Sequence, residues 1–352
     1  MPLVEGGQPI AGLDRMTPYE RRAWDESIRT LRASRRQIVP ARLREKTSTI
    51  VATAGQRLQD VPGAESVQAV VSRAMDGTLS LTFRPALRTA TCESVLKLYA
   101  RKGVDVSSMA DVRELSLEER DHRQPRRTLY AGVAAGEGAA TAVAVTGSEV
   151  ATTVSGGATA GIVVGAVALD AVASLAMMGR AVGDVASRYG YDMRDPGEEL
   201  FAMGVLSLGM AGDVGAKTQA LAALSRLTQR MMRRATWNEL NKHLLVKVLQ
   251  KVYQRLGLRL TQRKLAQVVP VAGIGINAAL TASLVDKTFE RAQAVYRLRS
   301  LSEKYDIDPS TWTRSAVPTP SEEEIVDVID ILDETKAIEE RGSGEPGDLT
   351  TE

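Results

Sequence analysis

From Leu129 to Gly183 the chain is almost without charge, with only Glu137, Glu149, Asp170 and Arg180 ionised in that stretch. Alanine, glycine, valine and threonine fill most of it. Gly157, Gly161 and Gly165 recur at every fourth position, and Gly132 and Gly136 repeat the spacing. On a helix, residues four apart share a face. A face of glycines lets a second backbone approach closely, as in helix pairs inside membranes. The feature predicts a close-packed helical hairpin at the centre of an all-α multi-helix bundle. With 29 glycines and 4% aromatic residues, such a core is built from small side chains.

A bilayer span needs about 20 apolar residues. Val150–Leu169 has that length, but its glycine, serine and threonine content makes it a poor inserter. The second uncharged run, Leu265–Val285, is broken by Pro270, Gly273, Gly275 and Asn277. Packing within the protein is therefore the expected role of both runs, and a helix pair that refolds into a membrane is the sharper alternative.

Outside the centre, local signals mark the helices. Thr17, Pro18 and Glu20 form a helix start with a capping box, and Trp24, Ile28 and Leu31 follow on one face. Ser107 or Ser108 caps a further helix. Asp195 with Pro196 starts another, with Glu198 at the capping-box position. Thr78–Phe83 is the best strand candidate, although no partner strand is evident. Residues 236–256 read as a basic amphipathic helix with Leu245, Val248, Leu249, Val252 and Leu256 as its apolar stripe. Gly257 is expected to end it, and residues 286–304 to form a last long helix. The domain plan is a flexible N-terminus over 1–15, a helical domain over 16–305, a linker over 306–320, and an acidic, largely disordered tail over 321–352 that opens with a short helix.

Charge is divided along the chain. Lys217–Lys264 holds twelve lysines and arginines against one acid, Glu239, while residues 321–352 hold twelve acids against Lys336 and Arg341. Lys247, Lys251 and Arg255, four residues apart, are candidates for contact with anionic lipid. Scarce aromatics and the lack of a recognised motif argue against specific nucleic-acid binding. Cys92 is the sole cysteine, which points to a reducing, cytoplasmic compartment, and the first residues do not read as a signal peptide.

Catalytic signals are poor. His122 and His243 lack neighbours at ligand spacing, so no metal site is expected, and no cofactor or phosphate-cradling motif is present. Glu137, Asp170 and Asp184 sit in apolar surroundings and need partners. Arg263, Arg297 and Arg299 are candidates for a buried polar network with them, with Asn277 as a hydrogen-bonding group; a hydrolase built on those carboxylates is the last-ranked reading.

Taken in order, several segments resemble the EcsC protein family. They are Ala134–Thr141 (AAGEGAAT), Ala186–Asp192 (ASRYGYD), Asp195–Phe201 (DPGEELF), Arg263 with Lys264, Val268–Asn277 (VVPVAGIGIN) and Tyr296–Leu301 (YRLRSL). Tyr19, Glu20, Trp24 and Ile28 are similar to that family's opening helix. The matching positions include Glu137, Tyr189, Gly190, Tyr191, Asp192, Asp195, Pro196, Pro270, Gly273, Gly275, Asn277, Arg297 and Arg299. The resemblance implies a bacterial accessory protein, cytoplasmic or at the inner face of the membrane, associated with an ABC exporter. It supplies no catalytic residues. The expected function is a non-catalytic binding protein at the cytoplasmic membrane face, its partner an anionic membrane surface or a membrane protein complex. A membrane-inserting effector is the alternative. Oligomeric state is not legible.

Overall fold

A computed structural model describes residues 10–32, 69, 71–72, 75, 77–126, 159–233, 242–265, 273–314 and 325–342. Among these residues the regular structure is helical throughout, with no strand. The helices are α1 (Pro18–Arg32), α2 (Arg84–Leu87), α3 (Cys92–Ala100), α4 (Met109–Glu114), α5 (Leu117–Asp121), α6 (Thr159–Arg188), α7 (Pro196–Met210), α8 (Val214–Met232), α9 (Lys242–Leu265), α10 (Gly273–Tyr305) and α11 (Val328–Gly342).

The long helices α6 and α10 pack on each other and organise the bundle. On α6, Ala168, Ala171, Leu175, Met178, Val182 and Val185 are buried at alternating spacings of three and four, the pattern of a core-facing helix. α7 behaves differently. Every residue from Gly197 to Met210 is buried, so it is a central helix enclosed on all sides. It packs on α10, α8, α6 and α9. α1 lies along α10, burying Trp24 and Leu31, while Ile28 is half-buried. A small second apolar cluster, Val95, Tyr99, Val106 and Val112, holds α3 and α4 together.

Local chemistry sets the helix starts. The Glu20 amide donates to Thr17 Oγ1 (3.2 Å) and the Thr17 amide to Glu20 Oε2 (2.9 Å), a closed capping box. Ser108 caps α4 with Asp111 as its reciprocal partner, and Asp195 accepts from the Gly197 amide at 2.8 Å.

Four expectations need correction. Thr78–Phe83 is not a strand. Leu79–Phe83 forms a π-helical turn that runs into α2. Leu79 and Phe83, four apart, turn inward, and Phe83 meets the Tyr253 ring at 5.1 Å. Without a partner strand, helical geometry satisfies the backbone locally. Gly257 does not end α9. The helix continues to Leu265, and a Cβ at Gly257 would fall 2.4 Å from Met75 Sδ. The glycine admits that side chain instead of terminating the helix. The stretch read as a linker packs at its start: Ile307 and Trp312 are buried, and Trp312 Nε1 donates to Ser302 Oγ at 3.2 Å. Finally, the tail carries α11, whose Val328, Ile329, Ile331 and Leu332 are buried in the main core.

Gly161 and Gly165 lie in the first turns of α6, and Gly273, Gly275 and Asn277 in the first turns of α10. Gly132, Gly136, Gly157, Glu137 and Pro270 lie outside the described residues. Close backbone approach does occur further along α6. A Cβ at Gly183 would stand 1.9 Å from the Leu87 carbonyl oxygen, and one at Gly179 2.8 Å from the Phe83 ring. Among the described residues, no helix is long and apolar enough to cross a membrane.

Candidate functional site

The segment Tyr189–Asp195 begins where α6 ends. Gly190 has φ +91°, the left-handed conformation that glycine adopts without a Cβ penalty. The Tyr191 amide donates to the Ala186 carbonyl (3.1 Å) and the Gly190 amide to that of Ser187 (3.0 Å), a Schellman closure. This turn sends both flanking tyrosines into the core. Tyr189 donates to Asp121 Oδ1 at 2.5 Å, and Arg297 Nε reaches the same oxygen at 3.0 Å. Tyr19 takes Asp121 Oδ2 at 2.9 Å. One carboxylate thereby joins α1, α5, α10 and the end of α6.

A second junction lies beside it. Arg299 grips Glu198 with two bonds of 2.6 Å and donates through Nε to Glu303 at 2.8 Å. Its guanidinium carbon sits 4.1 Å from the Tyr191 ring centroid and 4.4 Å from that of Phe201, and Tyr191 donates to Glu303 at 2.8 Å. Glu198 thus serves a long-range ion pair, where the sequence pattern suggested a capping box. Glu199, fully buried, is held by Arg84 (2.6 Å) and Arg88 (3.0 Å). Burial raises the phenols of Tyr189 and Tyr191 well above their ordinary range. Asp192 stays near the surface, bonded to Arg194.

A third junction closes the ends of α1 and α10. Lys304 (2.8 Å) and Tyr305 (2.7 Å) both donate to Glu20. Burial by itself raises the Glu20 carboxyl, but the donors Lys304, Thr17 and Tyr305 outweigh it and bring it to about 2. A carboxyl depressed in the folded state stabilises the fold above its ordinary value of 4.5 and loses that contribution as pH falls toward about 2. Glu20→Gln is therefore expected to lower the melting temperature at pH 7, with the gap closing between about pH 5 and about pH 2. A gap that stayed constant across that range would contradict the assignment.

Of the carboxylates proposed for acid or base work, Asp170 and Asp184 both lie on α6, well separated along it. Asp170 pairs with Lys264, whose ammonium also donates to Ser174 Oγ (2.6 Å) and Thr281 Oγ1 (3.3 Å), all four side chains being buried. Burial lowers the Lys264 pKa and the Asp170 charge opposes that shift. Asp184 is half-buried and pushed up to about 6 by desolvation, against the pull of Arg188. Arg263 donates to the Met210 carbonyl. The expected network of Asp170, Asp184, Arg263 and Arg297 is divided among separate places in the bundle. Lys264, and Glu198 as the partner of Arg299, are what sequence reasoning missed. Among the described residues, no group of His, Cys, Asp and Glu is arranged to hold a metal.

The basic region forms a different kind of surface. Leu245, Val248, Leu249, Val252 and Leu256 of α9 all face the core. Lys247 and Arg255 turn outward, and Lys251 is half-buried. α11 lies against α9 and α8 and matches their cations. Arg226 pairs with Asp327 (2.5 Å), Arg230 with both oxygens of Asp333 (2.8 Å each), Lys247 with Glu339 (2.8 Å) and Arg255 with Glu334 (2.9 Å). Two signals for this docking stood in the sequence: the opposed charge blocks, and the apolar residues interleaved with acids from Ile325 to Leu332.

The family model described as the EcsC protein family matches residues 14–301. The chain belongs to the EcsC protein family. Neither the curated proteins nor the solved structures contain a significant match to it. The EcsC match takes in α1, the Tyr189–Asp195 turn, α7 and most of α10, so it includes the Asp121 junction and the Arg299–Glu198 pair. It ends before α11.

Proposed function

We propose that this EcsC protein is a non-catalytic binding protein that works at an anionic membrane surface, as an accessory to membrane machinery of the ABC-exporter kind. The observation that carries this reading is the cationic face of α8 and α9. Arg226, Arg230, Lys247 and Arg255 all project to the side where an acidic helix lies, so the face is already matched to an anionic counterpart. The buried polar junctions speak for a structural role, because their carboxylates are engaged by arginine, lysine or tyrosine donors. Each basic side chain near an anionic leaflet contributes about 1 kcal/mol, and salt screens it within a Debye length of about 10 Å at 0.1 M.

Flotation with phosphatidylglycerol-containing vesicles tests the reading. The full chain is expected to float with them at low ionic strength and to remain behind with neutral phosphatidylcholine. The triple variant K247A/K251A/R255A is expected to lose about a hundredfold in apparent affinity at low salt, since about 1 kcal/mol per cation would be removed. Equal flotation of variant and wild type would remove α9 from the contact. Absence of flotation at low salt would remove the membrane from the function.

A further inference from the structure

α11 is attached in two ways. Its apolar residues, Val328, Ile329, Ile331 and Leu332, enter the core. Its acids Asp333, Glu334 and Glu339 reach outward to Arg230, Arg255 and Lys247, in pairs whose side chains keep 32–54% of their surface exposed. Ion pairs so well solvated weaken with salt and yield to a competing polyanion. The anchoring is lopsided. The Val326 amide bonds to the buried Ser207 Oγ at 3.2 Å, and the core-facing residues lie in the first turns of the helix. Toward its far end, Ile338 is 53% exposed.

We propose that α11 is a displaceable strap, an acidic helix that occupies the cationic face of α8 and α9 and yields it to an anionic lipid surface. This inference rests on the reading that the face meets lipid, and adds how access to it is controlled. Lifting the strap exposes a surface with apolar positions inside and cations around them, the composition of interfacial lipid binders. Val246, 45% exposed beside Lys247, extends that pattern. Nucleic acid fits less well. Among the residues whose side chains are described, α8 has no aromatic ring and Tyr253 of α9 is buried, so they offer bases no exposed ring to stack on. The strap also lies beyond the segment that matches the EcsC model, so it is separable from the family's helical body.

The test uses the full chain and phosphatidylglycerol-containing vesicles. When a site is competent only in a minor open state, apparent affinity falls by the open fraction, and raising that fraction recovers it. The strap variant D333N/E334Q/E339Q is expected to reach half-binding at about tenfold lower lipid than wild type. Adding K247A/K251A/R255A to it should cancel the gain. In the unmodified protein, amide exchange over residues 328–342 should accelerate when vesicles are added, a readout that needs no variant to fold. Equal binding of strap variant and wild type, with residues 328–342 still protected on vesicles, overturns the strap and leaves the membrane reading standing. Failure of both proteins to bind overturns both. Concentration-dependent dimerisation of the strap variant without flotation, or its preference for a DNA duplex over vesicles, also overturns the proposal.

Discussion

Replacing Arg299 by methionine is expected to destabilise the protein by about 3–5 kcal/mol at neutral pH, the usual range when one partner of a buried ion pair is removed. Methionine fills much of the volume between Tyr191 and Phe201 but brings no charge to Glu198, which is 9% exposed. Burial already raises the Glu198 pKa even with Arg299 opposing the shift. Removing the arginine leaves desolvation dominant, so the folded-state pKa climbs further above the unfolded one. A carboxyl shifted upward costs nothing below its unfolded pKa of about 4.3, and the cost grows as pH rises toward the folded pKa. The deficit of R299M, measured by urea denaturation, is therefore expected to widen from about pH 4.5 to pH 8. Adding Glu198→Gln should restore a large part of it, because a buried amide is less costly than a buried unpaired charge. A loss below about 1 kcal/mol at all pH values would mean that the pair is not a structural tie.

The second large effect is expected at Gly183. An alanine Cβ there would lie 1.9 Å from the Leu87 carbonyl oxygen and 2.8 Å from its carbonyl carbon. The obstacle is backbone, so no side-chain rotation relieves it, and α6 must move away from α2. That displacement unpacks Leu87 and Phe83, both fully buried. Gly183→Ala should cost about 3 kcal/mol or more, at the upper end for overpacked cores. Gly179→Ala meets only the Phe83 ring, which can tilt, and should cost less. Gly103→Ala provides the contrast. Its φ of +76° makes alanine strained, but nothing stands within 4 Å, so the cost should be about 1 kcal/mol. Thermal melts of the three variants should rank in that order. A G183A protein as stable as wild type would refute the close approach.

These two positions show which parts of the structure could be read in advance. Thr17, Ser108 and Asp195 were legible as caps because capping depends on neighbours within three residues. Trp24 and Leu31 were legible as a buried face because helical period reports burial. The partners of buried charges were not legible. Arg297 and Arg299 were both assigned to one polar network, but positions two apart on a helix point about 200° away from each other. They therefore serve different junctions, Asp121 and Glu198. Arg263 and Lys264, adjacent and so about 100° apart, also diverge, and it is the lysine that meets Asp170. Glycine spacing drew attention to Gly157, Gly161 and Gly165. Gly179 and Gly183 share that spacing farther along the same helix, where Gly183 lies against the Leu87 carbonyl and Gly179 against the Phe83 ring. Spacing marks where an approach is permitted, but it does not name the partner. The acidic block stood out in the sequence, but solvation and docking compete for such a block, and only the buried isoleucines of α11 settle the outcome.

The Glu20 junction has a consequence for synthesis. Its donors, Lys304 and Tyr305, lie 284 and 285 residues downstream. At about 5–20 residues per second, the first helix leaves the ribosome roughly 15–60 s before α10 is complete. During that interval Trp24 and Leu31 lack the α10 face along which α1 packs, and the Glu20 carboxylate lacks the cation that holds it in the finished protein. Docking of the chain's beginning is thus a late event of high contact order, which makes the nascent N-terminal helix a natural client for a holding chaperone.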